Sequence, residues 1–334
     1  MMRLLSTVLV FIAFALHLSA ADFQYAVIYD FGKKFDRSFN EGVYRGVKKF
    51  QDETGLKPKE FELVTESQSE QFLRQLARKK MDMIVVVGFS QVSSLKKVAV
   101  EFPEINFTLI DANVDLPNVQ SVAFKEEEGS FLVGALAAMK TKTNKLGFIG
   151  GVDVPLIRKF DCGFKQGASY VNSNIEFYQN MAGDTPDAWN NPAKGSELAI
   201  SQIDRGVDVI YTAAAKTSSG VLQAAADKQI LAIGVDVNQN YLHPGYVLSS
   251  MVKALDVAAY NALTDAKAGK WTAGQKKLGL KDRGVYWAYD DYNKPLITKE
   301  MKSNLDAMEK DIINGKIKVV DYMQTNSCEF SFKK

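Results

Sequence analysis

Short apolar runs that stop at an acid or a glycine alternate along this chain with stretches whose apolar residues return every third or fourth position. Residues 25–50 set the pattern. Tyr25-Ala-Val-Ile-Tyr-Asp30 reads as a buried parallel strand closed by an acid. A polar loop with one glycine follows, and Ser38 with Glu41 three positions later forms a capping box that predicts a helix N-terminus. Phe39, Val43, Val47 and Phe50 fall on one face of that helix. Asp30 thus stands at a strand's carboxyl end, with Phe39 and Asn40 in the first turn of the following helix. In open α/β sheets this is the edge that holds ligands.

The same device repeats. Strands are predicted at 60–66, 81–88, 106–111 and 119–124, with helices at 70–80, 92–102 and 126–139. The last helix carries three acids in its first turn, where the macrodipole favours them. A second series restarts with strands at 145–151, 175–181, 208–212 and 230–236 and helices at 156–171, 192–204 and 218–229. Beyond it, 247–252 and 284–289 read as extended, 255–266 and 299–314 as helical, and 317–322 as a strand. Strands alternating with helices of this length predict parallel sheets with right-handed crossovers. The expected fold class is α/β: two doubly wound parallel-sheet domains, one from 22–124 plus about 251–283, the other from 125–250 plus about 284–334. The crossings near 124 and 250 are expected to serve as hinges.

Composition narrows the picture. Arg3, the apolar stretch 4–18 and Ser19-Ala20-Ala21 make residues 1–21 a cleavable secretory signal peptide. No cysteine follows its apolar core, the first being Cys162, so the expectation is a periplasmic protein that is not lipid-anchored. A net charge of +2 gives no general pull towards nucleic acid. Cys162 and Cys328 lie in a compartment that permits disulfides, but spacing does not show pairing, and two isolated thiols is the expectation. His243 is the only histidine after the signal peptide, there is no GxxxxGK[ST] loop, and no GxGxxG follows a strand. No constellation of residues looks catalytic, and no cofactor is expected.

Candidate chemistry gathers at strand ends: Asp30 and Asp111 in the first series, and Gly150, Gly151, the 211–220 loop and Asp236 in the second. Carboxylates there suit neutral hydroxylated ligands, because one can accept from two hydroxyls. Phe39, Phe124, Phe160, Trp189 and Tyr211 stand near the same edges and can stack on a planar ring. Each has an ordinary reading as well: an acid capping a helix, an aromatic in the core, or, for Lys253, a solvated lysine. The joint placement of three acids on equivalent edges favours a binding site.

The chain resembles the basic membrane protein family of substrate-binding proteins, the purine-nucleoside-binding components of ABC importers. The resemblance runs from about Tyr25 to the C-terminus. It is carried by Asp36-Arg-Ser-Phe-Asn-Glu-Gly42, Leu109-Ile-Asp-Ala112, Phe124-Lys-Glu-Glu-Glu-Gly129, Ile157-Arg-Lys-Phe-Asp-Cys-Gly-Phe164, Gly234-Val-Asp-Val-Asn-Gln239 and Ser249-Ser-Met-Val-Lys253. It implies a type I periplasmic binding fold, monomeric, closing over one nucleoside of the adenosine, guanosine or inosine class for a membrane permease. By position, Phe39 would stack on the base with Tyr211 opposite. Asp30, Asn40 and Asp111 would surround the base, and Asp236, Lys253 and Gly220 would address the ribose. Ala215, Lys216 and Ser218 stand where the family's loop has glycines. A sugar-binding protein of the same fold and an exported nucleoside-processing enzyme are the alternatives.

Overall fold

The computed structural model describes residues 23–331; the signal-peptide reading of 1–21 lies outside them. Among the described residues, twelve strands form two six-stranded sheets. The first half of the chain runs β1 (Tyr25–Tyr29), α1 (Phe39–Thr54), β2 (Lys59–Glu62), α2 (Glu66–Arg78), β3 (Met83–Val87), α3 (Val92–Glu101), β4 (Asn106–Ile110) and β5 (Val119–Phe124). Next come α4 (Glu126–Lys140), β6 (Lys145–Val152), α5 (Pro155–Val171), β7 (Glu176–Gly183), α6 (Pro192–Ile203), β8 (Val209–Ala213), α7 (Ser218–Asp227), β9 (Leu231–Asp236) and β10 (Val247–Lys253). The chain ends with α8 (Leu255–Lys267), β11 (Gly274–Leu278), β12 (Val285–Trp287), α9 (Lys299–Ile313) and α10 (Tyr322–Thr325).

The first sheet has the order β11-β5-β4-β3-β1-β2 and the second β12-β10-β9-β8-β6-β7. All neighbours are parallel except β10 and β12. Helices cover both faces, which explains why the strands read as continuous apolar runs. On β1 and β3, Tyr25, Val27, Met83 and Val85 pack towards Val43, Val47 and Phe50 of α1. The alternate residues Ala26, Ile28, Ile84 and Val86 pack with Leu73, Leu76, Leu95 and Val98 of α2 and α3. Each fully buried aliphatic side chain here contributes about 1.5–3 kcal/mol. The strand order reverses between β1 and β3 in one sheet and between β6 and β8 in the other. Loops diverge at such points and leave a crevice at the carboxyl ends of the strands.

Helices α4 and α5 pack backbone to backbone. A methyl group on Gly134 would come within 2.0 Å of the Phe164 carbonyl oxygen, and one on Gly167 within 1.8 Å of that of Phe131. This contact holds the two helices close together along their middle turns.

Three local expectations are corrected. The helix α1 begins where predicted, but no capping box forms. Instead the Asp36 carboxylate accepts the backbone N–H groups of Ser38 (2.8 Å), Asn40 (3.0 Å) and Glu41 (3.1 Å), and the Ser38 hydroxyl turns away to Asp236. The strand β11 escaped prediction because it is an edge strand, Gly-Gln-Lys-Lys-Leu, paired on one side and mostly exposed, so it carries no apolar alternation. Conversely, 317–322 forms no strand. Gln166 holds the Val320 backbone on both sides, its amide donating to the carbonyl (3.0 Å) and its carbonyl accepting from the N–H (2.8 Å), and Asp321 caps α10.

Cys162 and Cys328 are not isolated thiols. They form a disulfide with Cα atoms 5.5 Å apart, closing a loop of 166 positions and strapping the C-terminal segment onto α5. Replacing both by serine is expected to lower stability by about 2–4 kcal/mol, read as a lower urea midpoint. A double variant as stable as the parent contradicts a bond that constrains the native chain.

Candidate functional site

The two crevices face each other across a cavity that residues of both sheets line. The first sheet contributes Asp30 and Phe31 after β1, Phe89 after β3, Asp111 after β4, and Phe39 from the first turn of α1. The second contributes Phe160 on α5, the Trp189 turn, Ala213 at the end of β8, Ala215 just after it, Asp236 at the end of β9 and Lys253 at the end of β10. Trp189 reaches the cavity because Gly151 has no side chain: a methyl there would lie 2.1 Å from the indole. Across the cavity Trp189 meets the edge of Phe89, with centroids 6.3 Å apart and planes at 72°. The result is an aromatic slot lined at one end by carboxylates and one ammonium.

Lys253 is the electrostatic centre. Its ammonium donates to Asp111 Oδ1 of the first sheet and lies 3.0 Å from Glu126 Oε1 of α4. The rings of Phe124, Phe39 and Phe160 surround it at 5.0, 5.2 and 5.6 Å. Burial alone would strip its proton, but Asp111, Glu126 and Asp236 together hold its pKa above the ordinary lysine value. Burial also acts on the acids. It pushes Asp30 up to about 6, against the Ser90 hydroxyl and Phe31 N–H that favour the charged form. Asp111 rises to about 7 because burial and the neighbouring Glu126 outweigh Lys253. Asp236 is raised by burial, offset by Lys253 and by the Ser38 hydroxyl that donates to it at 2.5 Å.

Three residues of the cavity wall hold left-handed backbone without being glycine: Asp111 (φ 79°), Ala215 (φ 47°) and Asp236 (φ 66°). Such a conformation costs about 1–2 kcal/mol per residue. It lets each strand turn away sharply and leave its last side chain in the cavity. Ala215 explains the expected glycine at its position: the backbone has the glycine conformation, and the methyl group narrows the wall. Ser218, also at an expected glycine, ties the loop shut through Thr212 Oγ1 (3.0 Å) and Ala214 N (3.1 Å).

Of the expected site residues, Asp30, Phe39, Asp111, Phe160, Trp189, Asp236 and Lys253 come together around the cavity. Three do not. Tyr211 is fully buried in the core, against Phe148 and Phe164, with its hydroxyl 3.2 Å from Ser130 Oγ, so it is not the aromatic opposite Phe39. Asn40 spends its amide on the loop: its Oδ1 accepts from Asp30 N, and its Nδ2 donates to the carbonyls of Asp30, Phe31 and Lys33. Gly220 lies inside α7, where a methyl would meet the Pro192 carbonyl oxygen at 1.8 Å, and serves the α6–α7 contact. Sequence reasoning missed Phe31, Phe89, Leu156, Ile157 and Val235 as wall residues. Gly88, with φ 101°, was the available signal for Phe89, because a glycine ending a strand turns the next residue into the crevice.

A family model described as ABC transporter substrate-binding protein PnrA-like (Bmp) matches residues 23–322. The ABC transporter nucleoside-binding protein BmpA of Lactococcus lactis subsp. cremoris is 31% identical over 322 residues, 89% of this chain and 89% of that protein. An uncharacterized lipoprotein of Pyrococcus horikoshii is 31% identical over 281 residues, 79% of this chain and 69% of that protein. An ABC transporter system solute-binding protein from Aeropyrum pernix K1 superposes with a TM-score of 0.81 at 27% identity, covering 89% of this chain and 93% of that one. The architecture is that of type I periplasmic binding proteins. The lipoprotein naming of relatives overturns the expectation of a protein that is not lipid-anchored. That expectation was inferred from the position of the first cysteine alone.

The buried acids give a pH dependence with a definite sign. Asp30 (about 6), Asp36 (about 7, raised by burial), Asp111 (about 7) and Glu127 (about 7, raised by burial) bind protons in the folded state that the unfolded chain, near pH 4, releases. Stability therefore rises as pH falls from about 7 towards 5. His243, whose pKa burial lowers, opposes this with one proton. Below about pH 4 the trend reverses, because Glu126, held at about 2 by Lys159 and Lys253 despite its burial, loses its charge. The ligand-free melting temperature is expected to be higher at pH 5.5 than at pH 7.5. A flat or opposite trend contradicts the assigned burial of these charges.

Proposed function

The chain belongs to the Bmp family of ABC transporter substrate-binding proteins, and from that premise we propose that it captures one purine nucleoside between its two sheets and delivers it to the permease of an ABC importer. The observation that supports this most is the division of labour in the cavity. Aromatic rings (Phe31, Phe39, Phe89, Phe160, Trp189) form a slot suited to a planar base, and Asp236 with Lys253 forms a polar end suited to vicinal hydroxyls. In this reading Asp30 and Asp111 accept from base N–H groups. A free sugar would use the polar end and leave the aromatic slot idle, so the nucleoside accounts for more of the wall. Wall contributions from both sheets support a hinge mechanism: rotation about the connections β5–α4, β10–α8 and β11–β12 would open the cavity.

The chemistry of the wall also argues for binding without turnover. The Lys253 ammonium is held in its charged form by Asp111 and Glu126, and the acids of the wall stand singly at different strand ends rather than paired across a scissile bond. In this reading the bound nucleoside leaves as it came.

The test is mutational, read by calorimetry with adenosine, guanosine and inosine. Phe39→Ala is expected to weaken binding by about 1–3 kcal/mol through lost stacking. Asp236→Ala is expected to cost at least as much, because it leaves the buried Ser38 hydroxyl without its acceptor and takes away one of the counter-charges of Lys253. Folded variants that both bind like the parent overturn the site. Release of free base during the titration overturns the absence of catalysis.

A further inference from the structure

Glu126 and Lys159 are fully buried, ion-paired and absent from the cavity wall, so the binding reaction leaves them unexplained. Glu126 is the first residue of α4. Its Oε1 lies 3.0 Å from the Lys253 ammonium and its Oε2 accepts from Lys159 Nζ at 2.8 Å. Lys159, from α5, also donates to the Phe124 carbonyl at 2.7 Å and lies 3.1 Å from Glu127 and 4.0 Å from Asp321. Lys277 closes the outer end of the chain of charges at 2.8 Å from Asp321. The close glycine-mediated contact of α4 and α5 holds this arrangement still.

Lys253 is therefore shared between two carboxylates on opposite sides of the cleft: Asp111 from the first sheet and Glu126 from the helix that follows it. With Asp111 alone, the ammonium would spend its donors on the first sheet. Glu126 draws it back, and Lys159 anchors Glu126 by its other oxygen. We propose that Glu126 and Lys159 are a positioning pair that fixes the direction of the Lys253 N–H donors, and through them sets how strongly the site recognises the hydroxyls of its ligand. The inference rests on the nucleoside reading above but assigns a role to residues that touch no ligand.

The probes are inosine and 2′,3′-dideoxyinosine, titrated into the parent, Glu126→Gln, Lys253→Met and the double variant Glu126→Gln/Lys253→Met. The parent binds inosine more tightly. Glu126→Gln weakens inosine roughly tenfold and the dideoxy compound less than about twofold, as expected for a misaimed charged donor. Lys253→Met removes the preference, and adding Glu126→Gln to it costs nothing further. The pair variant Glu126→Gln/Lys159→Met removes one charge of each sign and keeps the test available where the single variant fails to fold; it shows the same split between ligands. Equal weakening of both ligands, or a full further loss in the Lys253→Met background, overturns the positioning role. So does an unaffected Glu126→Gln, which leaves the nucleoside reading intact. A parent that binds neither compound overturns that reading and the inference with it.

Discussion

The structure depends on keeping one ammonium charged inside an apolar wall. Taking a lysine out of water costs several kcal/mol even after relaxation, and Lys253 is fully buried among three phenylalanine rings. The counter-charges come from three separate places in the chain: Asp111 just after β4, Glu126 on α4 and Asp236 at the end of β9. Each must arrive at one point, so the carboxyl ends of both sheets have to converge there. Four carboxylates (Asp111, Asp236, Glu126, Glu127) then face two ammonium groups, Lys253 and Lys159, and this excess adds to burial, the larger cause, in pushing Asp111 and Glu127 towards neutrality. A ligand offering hydroxyl or N–H donors relieves that excess. An anionic ligand would add to it.

The backbone is shaped to serve the same point. Asp111, Ala215 and Asp236 adopt left-handed conformations at the lip of the cavity, a strain the surrounding sheets absorb. The Asp36 carboxylate organises the first turn of α1, which frees Ser38 to reach across the cleft to Asp236. Gln239 makes a parallel connection, donating to the Arg37 carbonyl at 2.7 Å while its own carbonyl accepts from Val235 N. These contacts join the two sheets beside the cavity, so opening it breaks specific hydrogen bonds rather than a diffuse interface.

Much of this was legible in the sequence because buried parallel strands announce themselves as apolar runs, and their ends mark the ligand edge. Asp30, Asp111, Asp236 and Phe39 were found that way. What failed were inferences that depend on which way a side chain points. Tyr211 lies on β8, near the ligand edge, but it faces the α4–α5 layer, and a continuous apolar strand gives no sign of which face is which. Asn40 and Gly220 carry signals of binding, yet one braces a loop and the other admits a neighbouring helix. The disulfide joins positions 166 apart, a proximity only the tertiary fold creates. Glu126 read only as a helix-dipole acid, and Lys159 carried no signal of its own; their partner Lys253 is distant in sequence.

The central claim, that this cavity selects a base together with its ribose, is tested most directly by competition. Protein unfolded and refolded to strip bound molecules is equilibrated with an equimolar mixture of adenosine, guanosine, inosine, ribose, glucose and galactose, freed of unbound solute and denatured, and the released molecule is identified by mass spectrometry. The account predicts a purine nucleoside, one per chain and chemically intact. Recovery of a free sugar in place of a nucleoside would contradict it.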